Sequence, residues 1–136
     1  MTSMRRGVAV LAALVAAGAI LTACTGPAEK TVDYTASAVT VSAGEILVVD
    51  FGEVNPSVGD DWVITTEPDP AVLGEGDSEF TTDAPDGMTG APGELVYRFP
   101  TTGAGTTVIA FEYRFRGEVP EDIEDQKTAE ITVTVK

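Results

Sequence analysis

Beyond Thr31, every patterned run in this chain alternates with period two, and none repeats with the 3.6-residue period of a helix. In "EILVVDF", Leu47, Val49 and Phe51 fall on one face, with Val48 and Asp50 on the other. In "TTVIAFEYRF", the longest run, Ile109, Phe111 and Tyr113 point inward; in "TAEITVTV", Ile131, Val133 and Val135 alternate with threonines. Val39 and Val41, "WVITT" and "ELVYRFP" continue the pattern, and β-branched residues dominate it. Alternation of this kind marks strands with one buried face. The segments between are turn chemistry. "EPDPA" carries two prolines that break any ladder, "TTGAG" is a turn, and "RGEVPEDIEDQ" is a charged loop. Leu73 to Gly93 reads as loop with one short strand at Glu79 to Thr82. Roughly six or seven short strands in about 110 residues predict an all-β domain, an immunoglobulin-like antiparallel β-sandwich. The sequence contains a single cysteine, so the sandwich has no internal disulfide.

The first 23 residues do not belong to that domain. Arg5 and Arg6 precede an uncharged run, Gly7 to Ile20, that is short for a membrane span and reads as a secretory signal. It ends in "LTAC", which resembles the lipobox of bacterial lipoproteins: an aliphatic residue, two small ones, then the cysteine that is lipidated. The resemblance implies diacylglycerol on the Cys24 sulfur, cleavage before Cys24, and a mature chain of 113 residues. Two or more acyl chains hold a protein stably on a bilayer where one does not. The expected organisation is a signal peptide over 1–23, the lipidated cysteine and a polar tether over 24–31, and one domain over 32–136. The expected location is the outer face of a bacterial cytoplasmic membrane, with the domain a monomer.

Charge and composition narrow the chemistry. The mature chain carries six Lys and Arg against 22 Asp and Glu. Such a surface repels phosphate backbones, which argues against a nucleic-acid partner; it is either a solvated coat or a lure for a basic protein. The sequence has no histidine, so it lacks the commonest general base and the commonest metal ligand. It also lacks a nucleophile elbow and a P-loop, and nothing points to an enzyme or a cofactor. "EPDP" and "EGDSE" space their acids two apart, as calcium ligands do, but neither follows an EF-hand loop, and no metal is expected.

Three loops remain as candidates for function. "VNPSVGDDW" links two core strands: Pro56 fixes a φ angle, Asn55 can bond its own backbone, and Gly59 permits positive φ. A loop so built is stiff, which suits a binding loop and a plain turn alike. "GMTGAPGE" has glycines at 87, 90 and 93, and "YRFRGEVPED" follows the longest strand. Trp62 is read as a core aromatic. Arg114 and Arg116 are either contact residues or strand-end cations that hold an acid across the sheet.

Taken in order, these stretches resemble the chagasin-type inhibitors of papain-like cysteine peptidases, small immunoglobulin-like domains that use three loops at one end. The resemblance runs roughly from Thr40 to Val135. "GEILVVDF" is similar to the family's strand before the first loop; Asn55, Pro56 and Gly59 match that loop's Asn-Pro-Thr-Thr-Gly, and Trp62 stands where the family has a tryptophan. Gly90-Ala91-Pro92-Gly93 is similar to the family's glycine turn, and "AGTTVIAFEY" to the strand entering its third loop. The chain departs from the family in having Ser57-Val58 for the two threonines. It also has Arg114-Phe115-Arg116-Gly117 where the family has Arg-Pro-Trp. The resemblance implies a wedge, residues 55–59, that enters a peptidase cleft with Ser57 and Val58 nearest the catalytic cysteine. Gly90 to Gly93 and Arg114, Phe115 and Arg116 would grip the rims. The competing expectation is a non-inhibitory binding or structural module of the cell envelope. The third loop decides between them: an inhibitor must present an aromatic and an arginine beside the first loop.

Overall fold

A computed structural model describes residues 26–136; the segment expected to be a signal peptide and Cys24 lie outside the described residues. Eight strands form two four-stranded sheets: β1 (Glu29–Asp33), β2 (Ala38–Val41), β3 (Ile46–Val54), β4 (Asp60–Thr66), β5 (Asp77–Thr81), β6 (Gly93–Pro100), β7 (Gly105–Phe115) and β8 (Thr128–Val135). One sheet has the order β1-β3-β6-β5 and the other β2-β8-β7-β4. A single 3-10 turn, Ile123–Asp125, is the one helical element among the described residues.

The sandwich is immunoglobulin-like, as the alternation predicts, but its sheets are mixed rather than purely antiparallel. β1 runs parallel to β3 and β2 parallel to β8. The cause is the N-terminal segment, which pairs along one sheet, turns at Asp33 and crosses to the other. The Asp33 carboxylate accepts the Thr35 N–H at 2.8 Å, and the Asp33 carbonyl accepts the Ala36 N–H at 2.9 Å. β1 therefore starts inside the segment expected to be a free tether. Edge strands need only backbone partners, and β1 offers one half-buried residue, Val32, and no alternation to read.

The core joins the inner faces of both sheets. Leu47, Val49 and Phe51 of β3 and Leu95 and Phe99 of β6 pack against Ile109 and Phe111 of β7 and Ile131, Val133 and Val135 of β8. Phe51 lies at its aromatic centre, its ring centroid 4.8 Å from Trp62, 4.9 Å from Phe111 and 5.5 Å from Tyr34. Trp62 is buried in this cluster, as a core aromatic should be. Tyr113, which follows Ile109 and Phe111 on the inner face of β7, is half-buried and meets the Trp62 ring edge-on. On the outer face of the first sheet, Arg98 bonds Glu29 of β1 and Glu79 of β5, tying both edge strands to β6.

The end of β3 is bent on purpose. Pairing with β6 shifts register between Asp50 and Gly52, and the Asp50 carboxylate accepts the Gly52 N–H at 2.8 Å. A bulge re-aims the strand that carries it. Here it sits just before the loop at residues 55–59.

Candidate functional site

Three connections leave the sandwich at one end. Val54, the last residue of β3, pairs with Gly93, the first of β6; Asp60, the first of β4, pairs with Phe115, the last of β7. The first loop (55–59), the second (82–92) and the third (116–127) therefore emerge together.

The first loop is a closed ring of short-range bonds. Asn55 Oδ1 accepts the Ser57 N–H at 3.2 Å, and the Asn55 carbonyl accepts the N–H groups of Val58 and Asp60 at 3.1 and 3.2 Å. The Gly59 N–H donates to the Pro56 carbonyl at 3.1 Å. Pro56, Ser57 and Val58 form the exposed tip. The loop thus presents a hydroxyl and a branched alkyl group on a backbone whose polar groups are largely satisfied.

The second loop is tied to it by Asn55 Nδ2, which donates to the Gly90 carbonyl at 3.0 Å. Gly90 has φ 84, and Pro92 is held from behind by the Thr82 hydroxyl, which donates to its carbonyl at 3.0 Å. Gly93 sits where a Cβ would lie 2.3 Å from the Thr81 carbonyl oxygen, so β5 and β6 close only on a glycine. Ala91 is half-buried between these neighbours.

The third loop begins with a tight turn. Phe115 and Glu118 exchange backbone bonds at 2.8 and 3.1 Å around Arg116 (φ 53) and Gly117 (φ 84). Two successive positive φ angles match the twist of a two-residue hairpin. The Arg116 N–H donates to the Gly59 carbonyl at 2.8 Å, which locks this turn to the first loop. The Arg116 guanidinium lies 5.1 Å from the centre of the Phe115 ring, which is exposed. An aromatic and an arginine thus stand beside residues 55–59. Arg114 does not join them: it shares the outer face of β7 with Glu112, 3.5 Å away.

Two residues outside the expected set bind the loops together. The Tyr113 hydroxyl donates to the Asp60 carboxylate. Burial, that bond and the nearby charges of Asp60 and Asp125 push the Tyr113 phenol up to about 12. The sequence offered a faint signal: an acid directly after Gly59 is well placed to close an Asn-headed loop. Tyr113 gave none, since its inward position already explained it.

Among the described residues no three His, Cys, Asp or Glu side chains gather to hold a metal ion. Asp69 of "EPDP" uses its carboxylate to accept the Ala71 N–H at 2.9 Å, the work of a turn.

A sandwich that projects three interlocked loops from one end belongs to the class of loop-presenting immunoglobulin-like domains. The chain belongs to the Chagasin family peptidase inhibitor I42, whose sequence model matches residues 40–135. Its fold is similar to the solution structure of Amebosin, with TM-score 0.61 and 20% identity over 82% of this chain and 100% of that one. It is also similar to the crystal structure of the cysteine protease inhibitor EhICP2 from Entamoeba histolytica, with TM-score 0.56 and 18% identity over 80% of this chain and 96% of that one. At such identities the likeness is one of fold. No curated protein sequence is a significant match.

Proposed function

We propose that this protein is a reversible, competitive inhibitor of papain-like cysteine peptidases, with residues 55–59 as the wedge, held on a membrane by lipid on Cys24. Membership of a peptidase-inhibitor family supports inhibition. The observation that carries the loop assignment is the bond from the Arg116 N–H to the Gly59 carbonyl, which keeps Phe115 and Arg116 against the wedge despite the missing Arg-Pro-Trp. The wedge acts by occlusion: Ser57 and Val58 fill the cleft, and no covalent bond forms. Inhibition should be competitive, stoichiometric and fully reversed on dilution when the mature chain is titrated against papain with a peptide substrate. The envelope-module reading draws on Trp62, the chain's one indole, being buried in the core and so unavailable as an anchor. It gains if papain is untouched by a folded domain.

The anchor reading agrees with the topology. β1 enters beside Ile46 and runs parallel to β3 toward the loops, so the chain joins the sandwich at the end away from residues 55–59. A lipid on Cys24 would leave the loops facing away from the bilayer. Replacing Cys24 with Ser should move the protein from membrane to soluble fractions or leave an unprocessed precursor. Lipid labelling that persists in the Cys24→Ser variant refutes the anchor.

A further inference from the structure

The Asp60 carboxylate divides its two oxygens between the first loop and β7. Oδ2 accepts the Asn55 backbone N–H at 3.2 Å, while Oδ1 accepts the Tyr113 hydroxyl. Asn55 in turn sends its side chain outward, accepting from the Ser57 N–H and donating to the Gly90 carbonyl. A continuous run of bonds therefore goes from Tyr113, on the strand entering the third loop, through Asp60 and Asn55 to Gly90 in the second. Asp60 is half-buried, so these bonds are partly shielded from water. Bonds to an ionised carboxylate are also stronger than neutral ones.

We propose that Asp60 is the positioning residue of the wedge: its carboxylate fixes Asn55 to β7 so that the three loops approach a partner as one rigid surface. This deepens the inhibitor reading and rests on it. A wedge already held in its bound shape loses less conformational entropy on docking, and the brace sits where that entropy would otherwise be lost. The lone alternative for Asp60, a rim charge that acts only by attraction, needs neither Asn55 nor Tyr113.

Three variants of the full-length chain separate these roles. Asp60→Asn removes the charge but can still accept the Asn55 N–H through its oxygen and donate through its amide to the Tyr113 oxygen, Asp60→Ala releases both bonds, and Tyr113→Phe releases only the bond to β7. Two readouts need no peptidase: amide exchange across residues 55–59, and the alkaline titration of the Tyr113 phenol, assigned by difference from Tyr113→Phe. Asp125 and Asp60 oppose ionisation of that phenol and Lys127, with its ammonium 5.3 Å from the ring centre, favours it. Removing the Asp60 charge must therefore lower the phenol's midpoint from about 12. Loop exchange should quicken most in Asp60→Ala, less in Tyr113→Phe and least in Asp60→Asn. The papain inhibition constant should rise roughly tenfold in Asp60→Ala. Asp60→Ala and Tyr113→Phe combined should be no worse than Asp60→Ala alone, because both break one linkage. The proposal is overturned if loop exchange is unchanged in Asp60→Ala, or if it quickens while inhibition holds. If the parent chain does not inhibit papain, the inhibitor reading falls by itself, and exchange and titration still decide whether Asp60 braces the loop.

Discussion

Gly59 is the point at which the first and third loops touch most closely. Its φ is 109, and a Cβ there would lie 2.6 Å from Arg116 Cγ and 3.0 Å from the Arg116 backbone nitrogen. Any side chain must strain the backbone and also push the third loop away. Gly90 shares the positive φ but opens onto empty space. Gly59→Ala should therefore cost about 1–3 kcal/mol in denaturant unfolding and weaken inhibition, while Gly90→Ala should cost less on both counts. Equal effects of the two would mean that contact with Arg116 contributes nothing. At this scale Asn55, Pro56 and Gly59 were legible in the sequence because their constraints are local: a fixed φ, an Asx turn, a positive φ. The Asp60–Tyr113 bond joins residues 53 apart, and no local pattern encodes such a partner. Arg114 and Arg116 were indistinguishable for the same reason; strand parity sends one to the outer face and the turn sends the other to the wedge.

The strands that build the core were readable because burial on one face leaves a period-two record. Phe111 illustrates the rule. It was expected inward, and it is fully buried among Phe51, Tyr97 and Phe99. Phe111→Ala should cost about 3–5 kcal/mol, since the surrounding rings cannot collapse into the space. Circular dichroism and chemical denaturation will check this; an unchanged unfolding midpoint would contradict the packing. β5 was found only approximately, as Asp77–Thr81 rather than Glu79 to Thr82, because all five of its residues are exposed and Phe80, opposite Leu95, is its single apolar residue. β1 left still less trace. Its first three residues, Glu29 to Thr31, fall in the expected polar tether, yet five consecutive residues pair with β3. Parallel pairing at an edge is decided by backbone groups that every residue carries, so its sequence is nearly free. Among the described residues pairing is parallel only at β1 and β2, and it is antiparallel, as expected, in the strands that carry the loops.

As a whole the molecule separates three tasks along its length. The N-terminal segment enters at one end, a core without disulfide supports the middle, and three interlocked loops occupy the other end. Residues 24–136 carry six cations against 22 acids, a surface that repels other acidic molecules. None of this requires the end loops to be rigid unless they bind. If residues 55–59 act as a stiff wedge, the decisive variant removes the wedge's stiffness and its tip while leaving the sandwich intact. Replacing Pro56, Ser57 and Val58 together by glycine removes the fixed φ and both tip side chains while leaving Asn55, Gly59 and the flanking strands in place. The inhibition constants of parent and variant against papain should be measured in parallel with their unfolding midpoints. The parent should inhibit competitively and the variant should lose roughly tenfold or more in affinity while still unfolding cooperatively, at a midpoint lowered by the added freedom of three glycines in the unfolded chain. A variant that folds and inhibits as well as the parent would show that this stretch is only a turn.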